Sequence, residues 1–247
     1  MNKVAIISDI HGNMQALEVV LEDIKKEHCD KIFCLGDLAM AGPEPVKAIK
    51  LIKKLYDEGT LELIQGNTDE MIGNYDLLGE HIKSKFPIMS NALENDVKII
   101  PNDLRDFLKN LPKQKKLQIE GVKILLVHGS PRKNDENIAP DLSIEQIEEI
   151  IAGTDADAIF CGHTHIPCGY QTNKKQTVIN VGSVGRPFTP NPQACYAITE
   201  FSNEAFEVLH KFVKYDNQKA SEILAKRDFQ GADKLAQILT KPEFRHM

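Results

Sequence analysis

The sequence of 247 residues has no long hydrophobic run and no excess of basic side chains. No apolar stretch approaches the ~20 residues that a bilayer crossing requires, so a membrane-spanning protein is not expected. The net charge is −6, from 36 acidic and 30 basic side chains, which disfavours extended binding to nucleic-acid backbones. The N-terminal MNKVAIISDIHGN has only a short apolar stretch and is interpreted as a first strand rather than a signal peptide.

The cysteines also lack the spacing of a disulfide framework or a thiolate zinc site. Their number is odd, no two are separated by two residues, and they stand at Cys29, Cys34, Cys161, Cys168 and Cys195. This pattern is typical of buried free thiols in a reducing compartment. The sequence therefore favours a cytoplasmic location.

Repeats, low-complexity tracts and Ser/Gly linkers are absent as well. The first 70 residues instead alternate between strand and helix patterns. Strands are predicted at Lys3–Ser8, Lys31–Leu35 and Leu61–Ile64, with helices over Asn13–His28 and from Pro43 between them. A βαβαβ order predicts parallel strands joined by right-handed crossovers.

The second half of the chain adds antiparallel character. Two hairpins are predicted, with Gly121 and Asn203 in their turns. A helix capped by Ser143 is expected over 143–152. One domain with two sheets over residues 1–215 is the simplest assembly, with a helical insertion or cap at 70–112. Residues 216–247 are predicted to form a helical tail of no evident function.

Five short polar segments follow predicted strands, and each contains a glycine beside an oxygen or imidazole group. They are Ser8–Gly12, Leu35–Asp37, Gln65–Asp69, Val127–Ser130 and Cys161–His165. Open α/β sheets carry their sites at the carboxyl ends of their strands. Glycine lets a backbone approach an ion or a phosphate closely.

These segments contain seven residues of metal-ligand type: Asp9, His11, Asp37, Asn67, His128, His163 and His165. Taken singly, each has a structural explanation as a turn residue, a helix cap or a hydrogen-bonded histidine. Together their oxygen and imidazole donors favour two divalent ions, Mn, Fe, Zn or Ni rather than Ca, with Mn expected in vitro. A bridging carboxylate holds such ions roughly 3.5–4 Å apart, and the pair can clamp the oxygens of a displacement at phosphorus.

The order of these segments resembles that of the calcineurin-like metallophosphoesterases. Their signature runs Asp-x-His, Gly-Asp, Gly-Asn-His-(Asp/Glu), a lone His and then Gly-His-x-His, and this sequence follows it from Ile7 to Pro187. The segments GDLAMAGPEP (36–45) and INVGSVGRP (179–187) look like the small prokaryotic branch that includes phosphodiesterases and dinucleoside-polyphosphate hydrolases. The resemblance implies an α/β fold, a four-layer α-β-β-α sandwich with two mixed sheets.

The resemblance also implies a role for each ligand residue. The first ion would be bound by Asp9, His11, Asp37 and His165. The second would be bound by Asp37, Asn67, His128 and His163, so that Asp37 bridges the two. Asp37, Asn67 and His128 are the residues expected to act in catalysis.

One position departs from the family pattern. Gly66-Asn67-Thr68-Asp69 carries Thr68 where the family has a histidine that protonates the leaving oxygen or steadies the transition state. Threonine is no useful general acid near neutral pH, and general acid catalysis contributes ~10²–10⁴-fold. The range of substrates is expected to be narrower and to favour leaving groups that depart without protonation. A swing of His81 into the site is the alternative.

Other polar residues near the motifs have weaker assignments. Asn67, Thr68 and Arg186 are expected to contact the substrate, Arg186 as a bidentate phosphate ligand or else as a surface arginine paired with a carboxylate. Asn180 and Ser183 are expected to order the turn beside the ligand loops. Asp69 is interpreted either as support for the site or as a helix cap.

The sequence thus predicts a metal-dependent hydrolase with two metal ions. A hydroxide bridging the ions would cleave phosphodiester or nucleotide-type phosphate and pyrophosphate bonds of a small phosphate-containing substrate, for example a nucleotide. Phosphoproteins rank lower, because AMAGPEP lacks the basic continuation found in protein serine/threonine phosphatases. The alternative is a weakly active or non-catalytic protein-binding scaffold, similar to the retromer subunit of this fold. No oligomeric state is predicted.

Overall fold

The computed structural model describes residues 2–77 and 87–242, and this part of the chain contains ten strands and eight helices. The strands are β1 (Lys3–Ile7), β2 (Lys31–Cys34), β3 (Leu61–Leu63), β4 (Gln114–Ile119), β5 (Val122–Val127), β6 (Ala158–Cys161), β7 (Cys168–Gln171), β8 (Thr177–Asn180), β9 (Ala194–Ser202) and β10 (Ala205–Val213). The helices are α1 (Met14–Lys26), α2 (Pro45–Asp57), α3 (Asn67–Gly73), α4 (Pro87–Ile99), α5 (Asn102–Lys109), α6 (Ile144–Ile150), α7 (Asn217–Ala225) and α8 (Ala232–Thr240).

The strands form two five-stranded mixed sheets. The first has the order β10-β9-β1-β2-β3, with β1, β2 and β3 parallel, β9 antiparallel to β1 and β10 antiparallel to β9. The second has the order β4-β5-β6-β8-β7, with β5, β6 and β8 parallel and antiparallel strands at both edges. The predicted parallel unit and both predicted hairpins are therefore confirmed.

The alternation of side chains along β1 shows why the two sheets stack. Val4 and Ile6 point into a core shared with the second sheet, whereas Ala5 and Ile7 point into a core shared with the helices. A strand whose two faces are both apolar needs a covering layer on each side. A third core lies on the far face of the second sheet beneath α6. The result is the α-β-β-α sandwich that the resemblance implies.

Helices α1 and α6 begin at residues whose side chains cap them. Asn13 accepts the backbone N–H of Ala16 at the start of α1, and Ser143 accepts that of Gln146 at the start of α6. Leu17 and Val20 of α1 are fully buried against the first sheet. The spacing of apolar residues and the position of the capping residue thus predict the same helix in these segments.

Several elements differ from the sequence prediction, among them helix α2, which begins at Pro45 rather than at Pro43. Strand β7 was not predicted, because its short CGYQ segment is an edge strand with only alternate side chains half-buried. The tail contains two helices, α7 and α8, which pack into the core beside α1. The proposed division at residue 215 stays a prediction, and His81 and residues 243–247 lie outside the described residues.

The five cysteines are free thiols, as expected. In the described ranges, we find no helix that is both apolar and long enough to cross a bilayer. A cytoplasmic location stays a prediction from the sequence.

Candidate metal centre

The seven predicted ligand residues converge on one edge of the sandwich. They follow five strands: β1 for Asp9 and His11, β2 for Asp37, β3 for Asn67, β5 for His128, and β6 for His163 and His165. Strands of both sheets end at this edge, and their loops are joined by backbone hydrogen bonds such as Asp9 N–H to Gly36 O (3.1 Å). Five of the seven side chains are buried, while Asn67 and His163 are partly exposed.

The first group consists of Asp9, His11 and His165. Nε2 of His165 lies 3.2 Å from Oδ1 of Asp9, and Nε2 of His11 lies 3.8 Å from the same oxygen. The two Nε2 atoms are 3.1 Å apart. Three donor atoms therefore surround one small volume, as a metal ion requires.

The second group lies directly beside the first. Oδ1 of Asp37 is 3.4 Å from Nε2 of His128, and Oδ2 of Asp37 is 3.7 Å from Nε2 of His11. Oδ1 of Asn67 lies 3.0 Å from Nε2 of His128 and 2.8 Å from Nδ1 of His163. All seven side chains thus form one continuous set.

The carboxylates of Asp9 and Asp37 are related to the two groups in different ways. The oxygens of Asp37 face an imidazole of each group, which suits the bridging role that the resemblance implies. Asp9 belongs to the first group and also forms a group of possible ligands with Asp37 and His128, and its Oδ1 lies 4.0 Å from Nε2 of His128. The assignment of ligands to individual ions stays a prediction.

The backbone is strained at the ligands. Five of the seven have φ in the left-handed region: Asp9 (56°), His11 (46°), Asp37 (57°), His163 (67°) and His165 (63°). This conformation costs a non-glycine residue roughly 1–2 kcal/mol, and such strain persists only where the surrounding structure enforces it. Such a concentration of strain at five of the seven predicted ligands is typical of functional sites.

Three of the imidazoles are oriented by backbone carbonyls. Nδ1 of His11 lies 3.1 Å from Met40 O. Nδ1 of His128 lies 2.8 Å from Leu35 O, and Nδ1 of His165 lies 2.6 Å from Arg186 O. A carbonyl only accepts hydrogen bonds, so we assign the proton of each ring to Nδ1. Nε2 of each ring is then a lone-pair donor directed into the site.

The residues present fit a bound cation. Oδ1 of Asp9 is buried, and no hydrogen bond to it is found among the described residues. Two Nε2 lone pairs, those of His11 and His165, face each other at 3.1 Å. Such an arrangement is unfavourable unless positive charge lies between the donors. Buried carboxylate and imidazole donors are the ligands that divalent transition metals prefer.

The electrostatics favour the metal-binding forms of most of these side chains. Burial opposes ionisation, but the electrostatic effect of the neighbouring His165 holds the pKa of Asp9 below its usual range, and that of His128 does the same for Asp37. Burial and the neighbouring His165 lower the pKa of His11 to about 4. Burial disfavours protonation of His128, but the charges of Asp37 and Asp9 raise its pKa to about 9. A cation would take the place of that proton.

Asp69 supports the backbone of the site from below. Its Oδ2 accepts the N–H groups of Asp37 (2.8 Å) and Gly66 (2.9 Å), and its Oδ1 accepts that of Leu38 (2.9 Å). Burial and the negative charge of Asp37 raise the pKa of Asp69 to about 7. Asp69 therefore caps α3 and also fixes the Asp37 loop, so both interpretations of this residue apply.

Thr68 is turned toward the protein interior. Its backbone N–H donates to Oδ1 of Asp37 (2.8 Å), and its hydroxyl donates to Ala39 O (3.1 Å). The residue is only 5% exposed. The hydroxyl proton is thus already engaged, and a contact of Thr68 with substrate stays a prediction.

Arg186 is buried at the rim of the first group. Its guanidinium carbon lies 5.8 Å from the ring centre of Phe188, which in turn stacks on His165 at 4.6 Å with an interplanar angle of 8°. Its backbone N–H donates to Ser183 Oγ (2.8 Å). The residue is therefore not an exposed surface arginine, and its contact with a phosphate stays a prediction.

Asn180 joins the last ligand loop to the turn before Arg186. Its buried amide nitrogen lies 2.7 Å from Gly162 O, 2.9 Å from Thr164 Oγ1 and 3.0 Å from Ile138 O. Its amide oxygen accepts the N–H of Gly182 (3.0 Å). The side chain therefore uses both its donor and its acceptor to position the loop that carries His163 and His165.

We expect Asn180→Asp to lower the free energy of unfolding by about 3 kcal/mol, because a buried carboxyl would face the carbonyl oxygens of Gly162 and Ile138 in place of a donor. Urea unfolding of the chelator-treated protein measures this change without a contribution from metal. The matched variant Asn173→Asp makes the same change at an exposed turn and is expected to stay within about 0.5 kcal/mol of the wild type. Equal losses in the two variants would contradict the role given to Asn180.

Sequence reasoning missed the groups that orient the rings. The carbonyls of Met40, Leu35 and Arg186 leave no side-chain signal, since any residue supplies a carbonyl. Phe188 had a signal, because an aromatic residue directly follows the INVGSVGRP segment and could have been considered as a partner for a ligand ring.

Comparison with known proteins agrees with this geometry. Residues 2–204 match the calcineurin-like phosphoesterase superfamily domain. An uncharacterised protein of Methanocaldococcus jannaschii is 32% identical over 242 residues, covering 90% of this chain and 92% of that protein.

Two crystal structures share the fold. A hypothetical protein from Pyrococcus horikoshii superposes with a TM-score of 0.87 at 23% identity, covering 99% of this chain and all of the other. A metallophosphoesterase from Sphaerobacter thermophilus superposes with a TM-score of 0.79 at 24% identity, covering 98% and 99%. With the family match over most of the chain, these findings establish that the protein belongs to the calcineurin-like phosphoesterase superfamily.

Proposed function

We propose that the protein is a phosphoesterase with two divalent metal ions that hydrolyses phosphodiester or nucleotide-type phosphoanhydride bonds in a small substrate. One observation carries this proposal: two adjacent groups of buried carboxylate and imidazole donors meet around Asp37 and Oδ1 of Asp9. A single structural ion would need only one such group. Two neighbouring groups at an open edge suit displacement at phosphorus.

The residues that would hold the ions are those of the two groups. Asp9, His11 and His165 would bind the first with Asp37, and Asn67, His128 and His163 would bind the second with Asp37. When bound, such ions lower the pKa of water and stabilise negative charge on phosphate oxygens. Manganese is the ion we propose for assays in vitro.

The protein's own side chains would position the substrate. Asn67 is partly exposed at the rim, where its amide nitrogen can donate to a phosphate oxygen while its oxygen faces the imidazoles of His128 and His163. Arg186 lies beside His165 and Phe188. Its guanidinium suits a bidentate interaction with a phosphate group.

The choice of substrate follows from Thr68. Its hydroxyl proton is donated to Ala39 O, and threonine does not titrate near neutral pH. Leaving groups that are stable as anions, such as aryl oxides and phosphates, should therefore be cleaved faster than alkyl oxides. Phosphodiesters with aryl groups and the anhydrides of nucleotides meet this condition.

The test uses chelator-treated protein with and without added Mn²⁺. We expect Mn²⁺-dependent hydrolysis of bis(p-nitrophenyl) phosphate and of a dinucleoside polyphosphate, and about 10²-fold or more lower kcat/KM for an alkyl phosphodiester, since general acid catalysis contributes on this order. Substrate-independent kcat/KM values would contradict the role given to Thr68. Turnover that is the same without metal would contradict the dinuclear mechanism.

A protein-binding scaffold is the second candidate, and the inward Thr68 hydroxyl is the observation that favours it. It predicts a different outcome in the same assay, namely two bound Mn²⁺ per chain with no turnover of any phosphoester. The buried ligand set argues against it, because a binding surface has no need of strained and costly polar side chains in its interior.

A further inference from the structure

Residues 40–42, within the GDLAMAGPEP segment, are held in a costly backbone conformation. Met40 and Ala41 have φ values of 82° and 60°, and both are buried. Each of two successive left-handed non-glycine residues is unfavourable, because its Cβ crowds the backbone. Neighbouring groups must therefore hold this segment in place.

The holding groups come from Asp96 on α4 and Arg227, which lies between α7 and α8. Oδ2 of Asp96 accepts the N–H of Ala41 (3.0 Å), and one guanidinium nitrogen of Arg227 donates to Gly42 O (2.8 Å). The second terminal nitrogen of Arg227, Nη2, donates to Oδ1 of Asp96 (2.5 Å) and to Oδ1 of Asn95. Asp96 is fully buried, and the Arg227 side chain is 8% exposed.

This network ends at a predicted metal ligand. Met40 O is the carbonyl that lies 3.1 Å from Nδ1 of His11. A hydrogen bond to this carbonyl places the ring proton of His11 on Nδ1 and leaves Nε2 free to bind an ion. Gly42 packs directly on the backbone of His11, because a Cβ built at Gly42 would lie 1.4 Å from His11 O. Both the ring and the backbone of His11 therefore depend on residues 40–42.

We propose that Arg227 and Asp96 are positioning residues of the metal centre, which act through residues 40–42 on His11 and so set the affinity of the ion that His11 binds. The C-terminal helices, whose sequence gave no functional assignment, thereby acquire a role in the site. This inference rests on the proposed function, since it requires metal binding at Asp9, His11 and His165.

The test compares the Mn²⁺ binding isotherms of chelator-treated wild type and Arg227→Met. We expect one of the two Mn²⁺ dissociation constants to rise about tenfold and the other to change less than twofold, because residues that orient a metal ligand typically contribute 10–100-fold to affinity. Arg227→Lys keeps the charge but lacks the fork that reaches both Gly42 and Asp96, so it should recover part of the loss.

A double variant separates positioning from general destabilisation. In a His11→Ala background, Arg227→Met should weaken Mn²⁺ binding by less than twofold, because the residue on which it acts is absent. Arg105→Met is the matched control, since Arg105 also bridges helical segments through Ile72 O (3.3 Å) and Asp76 (3.6 Å), away from residues 40–42. It should leave both dissociation constants unchanged.

The outcomes distinguish this inference from the proposed function. Wild-type protein that binds no Mn²⁺ would contradict the proposed function and this inference with it. Wild-type protein that binds two Mn²⁺ while Arg227→Met binds them equally tightly would overturn the positioning role alone. An equal loss in the wild-type and His11→Ala backgrounds would also overturn it, because the effect would then not pass through His11.

Discussion

Asp37→Asn is expected to lower kcat/KM by at least ~10³-fold and to reduce Mn²⁺ binding below two ions per chain. The two oxygens of Asp37 face Nε2 of His128 (3.4 Å) and Nε2 of His11 (3.7 Å), so this carboxylate belongs to both donor groups. Asparagine keeps the shape but replaces one oxygen by an amide nitrogen, which is no metal ligand, and removes one negative charge. Loss of a single group that stabilises transition-state charge already costs about 10²–10³-fold.

Steady-state hydrolysis of bis(p-nitrophenyl) phosphate and metal analysis of the same samples measure both quantities. Asp135→Asn is the matched control, because it removes one carboxylate from an exposed ion pair with Lys133 (3.6 Å) on the loop after β5. It should retain activity within about twofold, since exposed ion pairs contribute little. Full turnover by Asp37→Asn, with two ions bound, would exclude a bridging role for Asp37.

The predictability of the fold varied with the strength of its local signals. Strands β1, β2 and β3 and helices α1 and α2 were identified because apolar spacing, the Asn13 cap of α1, the proline at the start of α2 and glycine-containing loops agree there. Strand β7 was missed because an edge strand needs no continuous apolar pattern. The packing of α7 and α8 beside α1 was missed because tertiary partners cannot be read from the spacing of one helix.

In the site, too, residues with a local sequence signal were predictable and contacts set by tertiary structure were not. Side chains with specific chemistry, such as Asp9 and His128, stand in recognisable segments, and the meeting of strand ends explains why distant segments come together. The orientation of each ring depends on carbonyls, for example that of Met40, whose contribution is independent of residue type. Asp96 and Arg227 were missed because they act on residues 40–42 rather than on the ligands.

The residues with a left-handed backbone conformation give a physical reason why the ligands were predicted and their supporting residues were not. Strain at Asp9, His11 and Asp37 must be offset by the rest of the fold, and the hydrogen bonds of Asp69, Asn180 and Asp96 are among the groups that do so. These supports are ordinary polar residues whose role depends on tertiary position. A sequence therefore reports the ligands of such a centre more clearly than what holds them.

Gly42→Ala is expected to lower the free energy of unfolding by about 3 kcal/mol or more and to weaken Mn²⁺ binding. A Cβ at this position would lie 1.4 Å from the carbonyl oxygen of His11 and 2.6 Å from its carbonyl carbon. Those atoms are backbone, so no side-chain rotation can relieve the overlap, and residues 40–42 or the His11 loop must move. Overpacking of this kind in a buried region costs 1–3 kcal/mol and sometimes more, and here it also breaks the hydrogen bond from Arg227 to Gly42 O.

Urea unfolding of chelator-treated protein measures the change in stability, and an Mn²⁺ isotherm measures the change in binding. Gly169→Ala in β7 is the matched control, because the nearest atom to its Cβ would be Val178 O at 4.0 Å. Alanine removes conformational freedom from the unfolded chain, so this variant should be equal to the wild type or up to about 1 kcal/mol more stable. The two substitutions add the same methyl group, but only Gly42→Ala is expected to lower the free energy of unfolding. If Gly42→Ala instead unfolds within 1 kcal/mol of the wild type and binds two Mn²⁺ normally, residues 40–42 can move without consequence. The close approach of Gly42 to His11 would then not be needed for the metal centre.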